Sequence, residues 1–309
     1  MILINSTDII GKELERSYRM DYRRRNLRRT AACGLVFTVA WFATPPVEAA
    51  KKTHAVPPGT FLGASLATED AAGAVELYSA LFGWDAEKTQ DGYALNHKGR
   101  LVASITQIND STPNVTESFW LVAFAVNNVK LTMDSARENG ATIYRPVTKV
   151  QGGNGQYLIV GDNEKAPVMF IELRDTPIGG TTGPGSWAWA ELWSDDIDKA
   201  VQFYANVAGL GHEEFDRGDQ PYHVFTSQGE RRAGIVKIPP ELKDVEPGWA
   251  PYVAVADLSA STAKVRELGG TLVFGNLEHP ADGAVALILD PAGAALFLYQ
   301  IGSHEETAK

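Results

Sequence analysis

Hydrophobic and polar residues along the chain follow two periods, one after the other. Residues 61–67 alternate with a period of two, which is typical of a strand with one buried face. Val75, Tyr78 and Phe82 then recur at helical spacing. Gly83 follows at once and suits the left-handed position that closes a helix. The pattern therefore predicts a strand, a helix and a glycine stop in that order.

The same pattern occurs a second time in the chain. Residues 70–83, DAAGAVELYSALFG, match residues 196–209, DIDKAVQFYANVAG, at a constant offset of 126. Further on, ARENGATIY at 136–144 resembles VRELGGTLV at 265–273, at an offset of 129. Two similar offsets indicate one duplicated unit of about 125 residues, which is an ordinary domain length.

Each half also divides in two, because a strand, a helix and a glycine recur near residues 119 and 249. Four modules therefore start near residues 60, 119, 186 and 249, and Asp70 and Asp196 stand where a helix begins. We predict an α+β protein of four βαβββ modules in two tandem domains, residues 60–174 and 186–302. The Gly-rich and Pro-containing segment between them reads as a linker.

The first fifty residues have the composition of a targeting segment. Arginines cluster at residues 23–29, an apolar run covers residues 31–43, and the small-x-small triplet Val47-Glu48-Ala49 follows. These are the three parts of a secretory signal peptide. We predict an N-terminal extension and signal peptide over residues 1–50, cleaved near Ala49, and an exported, periplasmic or extracellular protein. The alternative is an uncleaved N-terminal membrane anchor, which would be the chain's only contact with a membrane.

Composition excludes several functional classes. The formal net charge is -10, and an acidic surface repels phosphate backbones, so nucleic acid is not an expected partner. Cys33 is the only cysteine, which excludes an internal disulfide and a zinc site built from cysteines. The sequence indicates no oligomeric state.

The order of these features resembles a known family. A strand, an Asp, a helix with Tyr78 five residues before Gly83, and a DPxG turn at residues 290–293 before a last strand are its marks. They resemble the vicinal-oxygen-chelate superfamily of glyoxalases, bleomycin-resistance proteins and extradiol dioxygenases, most closely its two-domain glyoxalase-like members. The resemblance implies that the modules of each domain pair side by side, so that their mixed sheets curl into a cup.

In the metalloenzymes of that family, the resemblance implies metal ligands seven residues before each helix-leading Asp or Asn and on the last strand. These positions are occupied here by Gly63, Leu121, Trp189, Ala250 and Phe297. None of these side chains binds a transition metal. The sequence therefore predicts no family-type metal site and no cofactor. Glu172, His212 and His223 remain as candidate ligands of a displaced site.

Strand alternation predicts which side chains line the cups. The first cup would contain small or apolar residues: Gly63, Ser65, Ala67, Leu121, Ala123 and Ala125. The second would contain aromatic residues and one carboxylate, since Trp187, Trp189, Glu191 and Trp193 share one side of their strand. Such walls suit a flat or cationic organic ligand, although the tryptophans could instead pack between the domains. The predicted ligand-binding residues are Trp189, Glu191, Trp193, Tyr252, Phe297 and Tyr299.

Three functions agree with these features. The first is an exported protein that binds a small organic molecule without a family-type metal. The second is a metal-dependent lyase or dioxygenase of the same superfamily with a displaced site. The third is a structural or interaction protein whose cups are filled by its own side chains. The sequence leaves open whether the protein is an enzyme.

Overall fold

A computed structural model describes residues 56–109, 112, 115–150, 155–173, 181–215, 221–240, 245–279 and 283–301. The predicted signal peptide lies outside the described residues, so its export signal stays a prediction. Among the helices of the described part, none has both the length and the apolar character needed to cross a membrane.

The first domain consists of two βαβββ modules. Their elements are β1 (Phe61–Thr68), α1 (Ala71–Phe82), β2 (Asp85–Lys88), β3 (Gly92–His97), β4 (Arg100–Gln107), β5 (Phe119–Ala125), α2 (Val129–Glu138), β6 (Thr142–Lys149), β7 (Gly155–Gly161) and β8 (Pro167–Leu173). The strands form one sheet in the order β2-β3-β4-β1-β5-β8-β7-β6.

The second domain repeats this plan element by element. Its elements are β9 (Trp187–Ser194), α3 (Ile197–Ala208), β10 (Gly211–Phe215), β11 (Tyr222–Ser227), β12 (Glu230–Lys237), β13 (Gly248–Ala254), α4 (Leu258–Glu267), β14 (Thr271–His279), β15 (Gly283–Leu289) and β16 (Ala295–Ile301). The sheet order is β10-β11-β12-β9-β13-β16-β15-β14. The predicted α+β class with four βαβββ modules is confirmed.

The helices begin and end where the sequence predicted. The side chains of Asp70, Asn128, Asp196 and Asp257 each accept a hydrogen bond from a backbone N–H in the first turn of the helix that follows. Gly83 and Gly209 take the left-handed conformation after α1 and α3, with φ of 65° and 67°. Local capping interactions therefore determine where each helix begins and where α1 and α3 end.

One apolar core joins the two domains. It contains residues of both sheets and of all four helices, including Leu66, Leu77, Phe124, Leu192 and Leu298. One face of each sheet therefore points toward this shared core, and we call it the inner face. The opposite faces carry two separate apolar clusters, which we call the first cup and the second cup.

Trp187 lies on the inner face, so the prediction that it lines the second cup is wrong. Its Nε1–H donates to the carbonyl of Val102 (2.7 Å), and its ring meets Phe61 edge-on at 5.9 Å. The pairing of β9 with β13 shifts register between Trp187 and Trp189, and this bulge interrupts the alternation of side chains. For Trp187, packing between the domains was the correct interpretation.

Two buried hydrogen-bond chains cross the domain interface. The Tyr204 hydroxyl of α3 donates to Asp162 Oδ2 (3.0 Å) in the first domain and accepts from Trp249 Nε1–H (2.8 Å). We call these three residues the second clasp. The Asp162 carboxylate also closes a turn, because it accepts hydrogen bonds from the backbone N–H groups of Glu164 and Ala166, both at 2.9 Å.

The equivalent tyrosine and tryptophan of the first domain and the equivalent aspartate of the second domain form the first clasp. The Tyr78 hydroxyl of α1 donates to Asp290 Oδ2 in the second domain (3.1 Å) and accepts from Trp120 Nε1–H (3.1 Å). Asp290 closes the predicted DPxG turn by accepting the N–H groups of Ala292 and Ala294. The same tyrosine–aspartate hydrogen bond thus occurs twice between the domains. In each case, one domain supplies the tyrosine hydroxyl and the other supplies the accepting aspartate.

Burial raises the pKa of Asp162 to about 6, although the backbone N–H groups of Ala166 and Glu164 act to lower it. Burial likewise raises the pKa of Asp290 above its ordinary value. The folded state therefore binds these protons more tightly than the unfolded chain, in which aspartate titrates near about 3.9. The contribution of Asp162 to the free energy of unfolding is then greatest below about pH 4, and it is lost as the pH rises through about 6.

The variant Asp162→Asn tests this direction, because it removes the titration and leaves the rest of the chain's charges unchanged. We expect the substitution to cost more stability near pH 4 than near pH 7, with a difference of up to about 3 kcal/mol. Urea unfolding of both proteins at the two pH values measures it. A cost that does not depend on pH would contradict the raised pKa.

Candidate functional site

Three adjacent strands place the predicted ligand-binding residues in the second cup. Trp189 of β9 pairs in register with Tyr252 of β13, and Tyr252 pairs with Phe297 of β16. The rings of Tyr252 and Phe297 stack with centroids 4.3 Å apart and planes 5° apart. Trp193 stacks more loosely on Phe297 at 6.5 Å, and Tyr299 belongs to the same cluster. The structure therefore brings the aromatic side chains that the sequence selected onto one surface.

Glu191 lies in the middle of this aromatic surface and is only 6% exposed. Its Oε1 accepts a hydrogen bond from the Tyr222 hydroxyl (2.8 Å), and its Oε2 accepts one from the Tyr252 hydroxyl (2.9 Å). Trp189 Nε1–H donates in turn to the Tyr222 oxygen (3.1 Å). We call these four residues the Glu191 network. It fixes the carboxylate by both of its oxygens.

The directions of these hydrogen bonds determine what the network offers to a ligand. Each tyrosine hydroxyl donates its single hydrogen to Glu191, so neither hydroxyl points its hydrogen at a ligand. The network therefore places a carboxyl group and two tyrosine hydroxyl groups among aromatic rings.

Tyr222 is the member of the network that sequence reasoning missed. Its hydroxyl lies directly over Gly234 of β12, where an added Cβ would come within 2.1 Å of that oxygen and 2.9 Å of Trp189 Nε1. Only glycine leaves room for this close approach. A signal was present in the alternation of β11, which places Tyr222 on the face opposite to His223.

Trp193 adds one donor to the second cup. Its Nε1–H is buried and has no hydrogen-bond partner among the described residues. A buried N–H without an acceptor costs about 1–3 kcal/mol, so such groups are rare and are often satisfied by a bound molecule. The cup thus contains one buried donor without a described acceptor, in addition to the Glu191 network.

The first cup has a different content. Leu121, Ala123, Met169 and Ile171 form an apolar cluster, and Val150 from the β6–β7 connection is buried against them. The predicted residues Ala67 and Ala125 also belong to this cluster. Apolar side chains of the connecting segments therefore fill the space between the curled strands.

The other two residues predicted for the first cup have separate contacts. Gly63 lies against the indole of Trp187, where an added Cβ would come within 2.6 Å of Nε1. Ser65 accepts a hydrogen bond from the Ser104 hydroxyl at 3.0 Å. No described ring or carboxylate of this half matches the Glu191 network.

Glu172 lies on the inner-face side of β8, away from the first cup. Its Oε2 accepts from the backbone N–H of Val129 at the start of α2 (3.2 Å). Gln107 accepts in the same way from Ala71 of α1, and Gln300 from Leu258 of α4. Side chains at the ends of these strands therefore cap helices, and the structure gives Glu172 a structural role.

His212 and His223 pair with each other on the inner-face side of β10 and β11. Their Nε2 and Nδ1 atoms are 2.9 Å apart, and the rings stack at 5.2 Å. Burial and the neighbouring His212 lower the pKa of His223, against the attraction of Glu214. Because Tyr222 points into the second cup, its neighbour His223 points to the opposite side. The structure does not bring either histidine to Glu191.

The described residues do not fit the metal that the family resemblance implies. Trp189, Ala250 and Phe297 converge in the second cup at the implied ligand positions, and none of them can donate a lone pair to a transition ion. Over the described ranges, no three His, Cys, Asp or Glu side chains gather closely enough to bind a metal ion. Glu191 is a single carboxylate, and a transition metal site needs three or four ligands.

Comparison with known proteins identifies relatives of both halves. The family model described as Glyoxalase/Bleomycin resistance protein/Dioxygenase superfamily matches residues 60–170 and again residues 187–297. The chain is 29% identical over 245 residues to CFP32 of Mycobacterium tuberculosis, whose name assigns it provisionally to the glyoxylases. That match covers 76% of this chain and 92% of the relative.

A second group of relatives comes from Streptomyces. The chain is 29% identical over 269 residues to the anthracycline biosynthesis protein DauV of Streptomyces sp. (strain C5), which covers 79% of this chain and 94% of the relative. The anthracycline biosynthesis protein DnrV of Streptomyces peucetius is also 29% identical, over 272 residues.

Solved structures share the fold at low sequence identity. The Mn(II)-bound glyoxalase from Novosphingobium aromaticivorans has a TM-score of 0.58 at 13% identity, covering 79% of this chain and 82% of that one. The 2,3-dioxygenase LapB from Pseudomonas sp. KL28 has a TM-score of 0.59 at 11% identity, covering 81% and 95%. These likenesses concern the arrangement of strands and helices.

Proposed function

We propose a function from the premise that this chain belongs to the glyoxalase, bleomycin resistance protein and dioxygenase superfamily. Its second cup binds a small organic molecule and does so without the family's metal. The observation that carries this proposal is the Glu191 network, a buried carboxylate fixed by two tyrosine hydroxyls among aromatic rings. Ligand sites in proteins typically combine such apolar and aromatic walls with a few well-placed polar groups.

The energetic cost of the network supports a role in binding. Burying a carboxylate in an aromatic surface is unfavourable even when it is hydrogen-bonded, and packed apolar residues of similar volume usually serve stability as well. The first cup shows that alternative, because apolar side chains fill it. Of the two duplicated halves, only the second has both a buried carboxyl group and an indole N–H without a described partner among its described cup residues.

The names of the Streptomyces relatives suggest one class of compound. DauV and DnrV are named for anthracycline biosynthesis, and anthracyclines carry flat fused rings. The stacked rings of Tyr252 and Phe297 offer a flat surface beside Trp193, on which such rings could stack in offset or edge-on geometry. We therefore include an anthracycline among the probes, together with smaller naphthalene compounds.

Isothermal titration calorimetry with an anthracycline, 2-naphthylmethylamine, 2-naphthalenemethanol and 2-naphthoate tests this proposal. We expect at least one of them to bind at one site per chain. In the Trp193→Leu variant, loss of the indole should weaken that binding about tenfold, since an aromatic contact contributes about 0.5–1.5 kcal/mol beyond its buried area.

Tyr157→Leu is the matched control, because it removes an aromatic ring from the first cup. Its affinity for the same probe should stay within about twofold of the wild type. Equal weakening by both substitutions, with both variants folded, would place the binding elsewhere.

A filled cup is the competing proposal, and one observation favours it. Tyr252 and Phe297 are each only 3% exposed, so their rings already cover much of the second cup. If the protein is a structural or interaction protein, none of the four probes will bind up to its solubility limit. A displaced metal site remains the third proposal, and stoichiometric metal in protein purified without chelators would support it.

We also propose export of the mature protein through the predicted signal peptide at residues 1–50. The basic cluster, the apolar run and the small residues near Ala49 support this proposal. Expression of the full chain in a bacterial host with an export system, followed by N-terminal sequencing, tests it. A mature protein that starts near Ala50 outside the cytoplasm is expected. An intact N-terminus in the membrane fraction would support the anchored alternative.

A further inference from the structure

Trp193 carries a hydrogen-bond donor for which the second cup supplies no described acceptor. The side chain is partly exposed and packs against the aromatic cluster of the cup, where its ring stacks on Phe297 at 6.5 Å. Its Nε1–H is nevertheless buried and has no hydrogen-bond partner among the described residues. A buried N–H without an acceptor is unfavourable, so an acceptor atom of a bound molecule would stabilise it.

Open space lies directly beside this indole. Trp193 of β9 pairs in register with Gly248 of β13, so the two residues belong to the same face of the sheet. Among the described residues, a Cβ added to Gly248 would approach only the Glu246 carbonyl oxygen, at 3.9 Å. The partly exposed indole therefore has room to turn its N–H toward a ligand that enters this space.

The first domain has the reverse arrangement at the same place. Ala67 occupies the position equivalent to Trp193, and Phe119 occupies the position equivalent to Gly248, at offsets of 126 and 129. Ala67 and Phe119 also pair in register, on β1 and β5. A small residue therefore lies opposite a large aromatic one in both domains. Phenylalanine satisfies this packing in the first domain, so packing alone does not require the indole N–H of the second.

We infer that the second cup binds a flat aromatic ligand through a carbonyl oxygen, which accepts the Trp193 Nε1–H in the space over Gly248. This inference rests on the proposed function and adds to it the chemical class of the ligand, an aromatic ketone or quinone. A carbonyl oxygen offers lone pairs and no hydrogen, so it matches a single unpaired donor. A carbonyl conjugated with a ring lies in the plane of that ring, so a ligand packed against the aromatic walls presents it edge-on.

Two probes of nearly the same shape separate this hydrogen bond from packing in the intact chain. 2-Acetylnaphthalene has a carbonyl oxygen where 2-isopropenylnaphthalene has a methylene group. We expect the ketone to bind about fivefold more tightly, as quenching of tryptophan fluorescence measures, because only the ketone satisfies the buried donor. The Trp193 indole N–H resonance should move downfield with the ketone and not with the alkene.

Trp193→Phe removes the N–H and keeps an aromatic ring. In this variant the preference for the ketone over the alkene should fall from about fivefold to less than about twofold. Trp187→Phe is the matched control, because it removes an indole N–H from the inner face, and Phe61 occupies the equivalent position of the first domain. The ketone preference should be unchanged in the control.

Gly248→Phe introduces the residue that the first domain has at the equivalent position, Phe119. The new ring would occupy the space beside Trp193 and should weaken ketone binding at least tenfold. Ketone binding by this variant as tight as that of the wild type would overturn the inferred position of the carbonyl group.

Equal affinities for the ketone and the alkene, or a ketone preference that persists in Trp193→Phe, would overturn the inferred hydrogen bond and leave the proposed binding function standing. If Trp193→Phe does not fold, the two probes and the N–H resonance of the wild-type protein still decide. Absence of binding by both naphthalene probes, and by the four probes of the proposed function, would instead overturn the proposed function, and this inference with it.

Discussion

The Tyr204→Phe variant is expected to unfold with a free energy about 2–3 kcal/mol below that of the wild type. The lost hydroxyl is the centre of the second clasp, where it donates to Asp162 and accepts from Trp249. Without it, the buried indole N–H loses its acceptor and the buried carboxylate loses a donor. Unpaired buried groups cost more than the average hydrogen bond contributes, which is why the expected loss is larger than that of a single hydrogen bond.

Tyr78→Phe removes the equivalent hydroxyl of the first clasp and should cost a similar amount, because the pairing with Asp290 and Trp120 is the same. Tyr144→Phe is the control, since its hydroxyl donates to the carbonyl of Lys165 at an exposed position. Its cost should stay within about 0.5 kcal/mol. Denaturant unfolding measures all three, and equal costs for the three variants would contradict a structural role for the clasps.

Gly234→Ala is expected to weaken at least tenfold the binding of the probe that the second cup binds. The added Cβ would come within 2.1 Å of the Tyr222 hydroxyl and 2.9 Å of Trp189 Nε1, so the hydroxyl must move away from Glu191. A hydrogen bond to a charged group contributes about 1.5–3 kcal/mol, and each 1.4 kcal/mol is about tenfold in affinity. The variant should also lose about 1–3 kcal/mol of stability through overpacking.

Gly275→Ala provides the matched control on β14 of the same domain. An added Cβ there would meet Ala286 and Leu272 at 3.5 Å, which is an ordinary contact. Binding should be unchanged in this variant. If Gly234→Ala binds this probe as tightly as Gly275→Ala does, the Glu191 network does not form the binding site.

Local chemistry explains why the fold could be predicted from the sequence. The caps of Asp70 and Asp196 and the left-handed Gly83 and Gly209 are decided within a few residues, so the pattern shows them directly. Duplication then repeats the evidence, because the same spacing occurs twice with an offset of 126. The order of the strands within each sheet follows when two such modules pair side by side in each domain.

The site could be predicted only in part, because its geometry depends on contacts between strands. Alternation along β9 correctly grouped Trp189, Glu191 and Trp193, but it failed at Trp187, where a bulge shifts the register. The sequence did not predict Tyr222 as a residue of the site, because its position depends on the space that Gly234 leaves on the next strand. Long-range pairs of this kind leave no periodic signal in one sequence.

The sequence pattern also could not predict the hydrogen bonds across the domain interface. Tyr78 and Tyr204 were recognised as helical core positions, but their hydroxyls bond carboxylates 212 and 42 residues away in the chain. A polar atom on an apolar helix face indicates that a partner exists without indicating where it lies. The equivalent tyrosines in the two halves were the available hint.

Indole N–H resonances of the protein labelled with ¹⁵N at tryptophan test the central claim most directly. On titration with a probe that binds in calorimetry, we predict that the Trp193 and Trp189 signals shift together, because both rings line the second cup. The signals of Trp120 and Trp249 should stay in place, because their N–H groups are bound within the clasps. Saturation of the protein with unchanged Trp189 and Trp193 signals would contradict binding in the second cup.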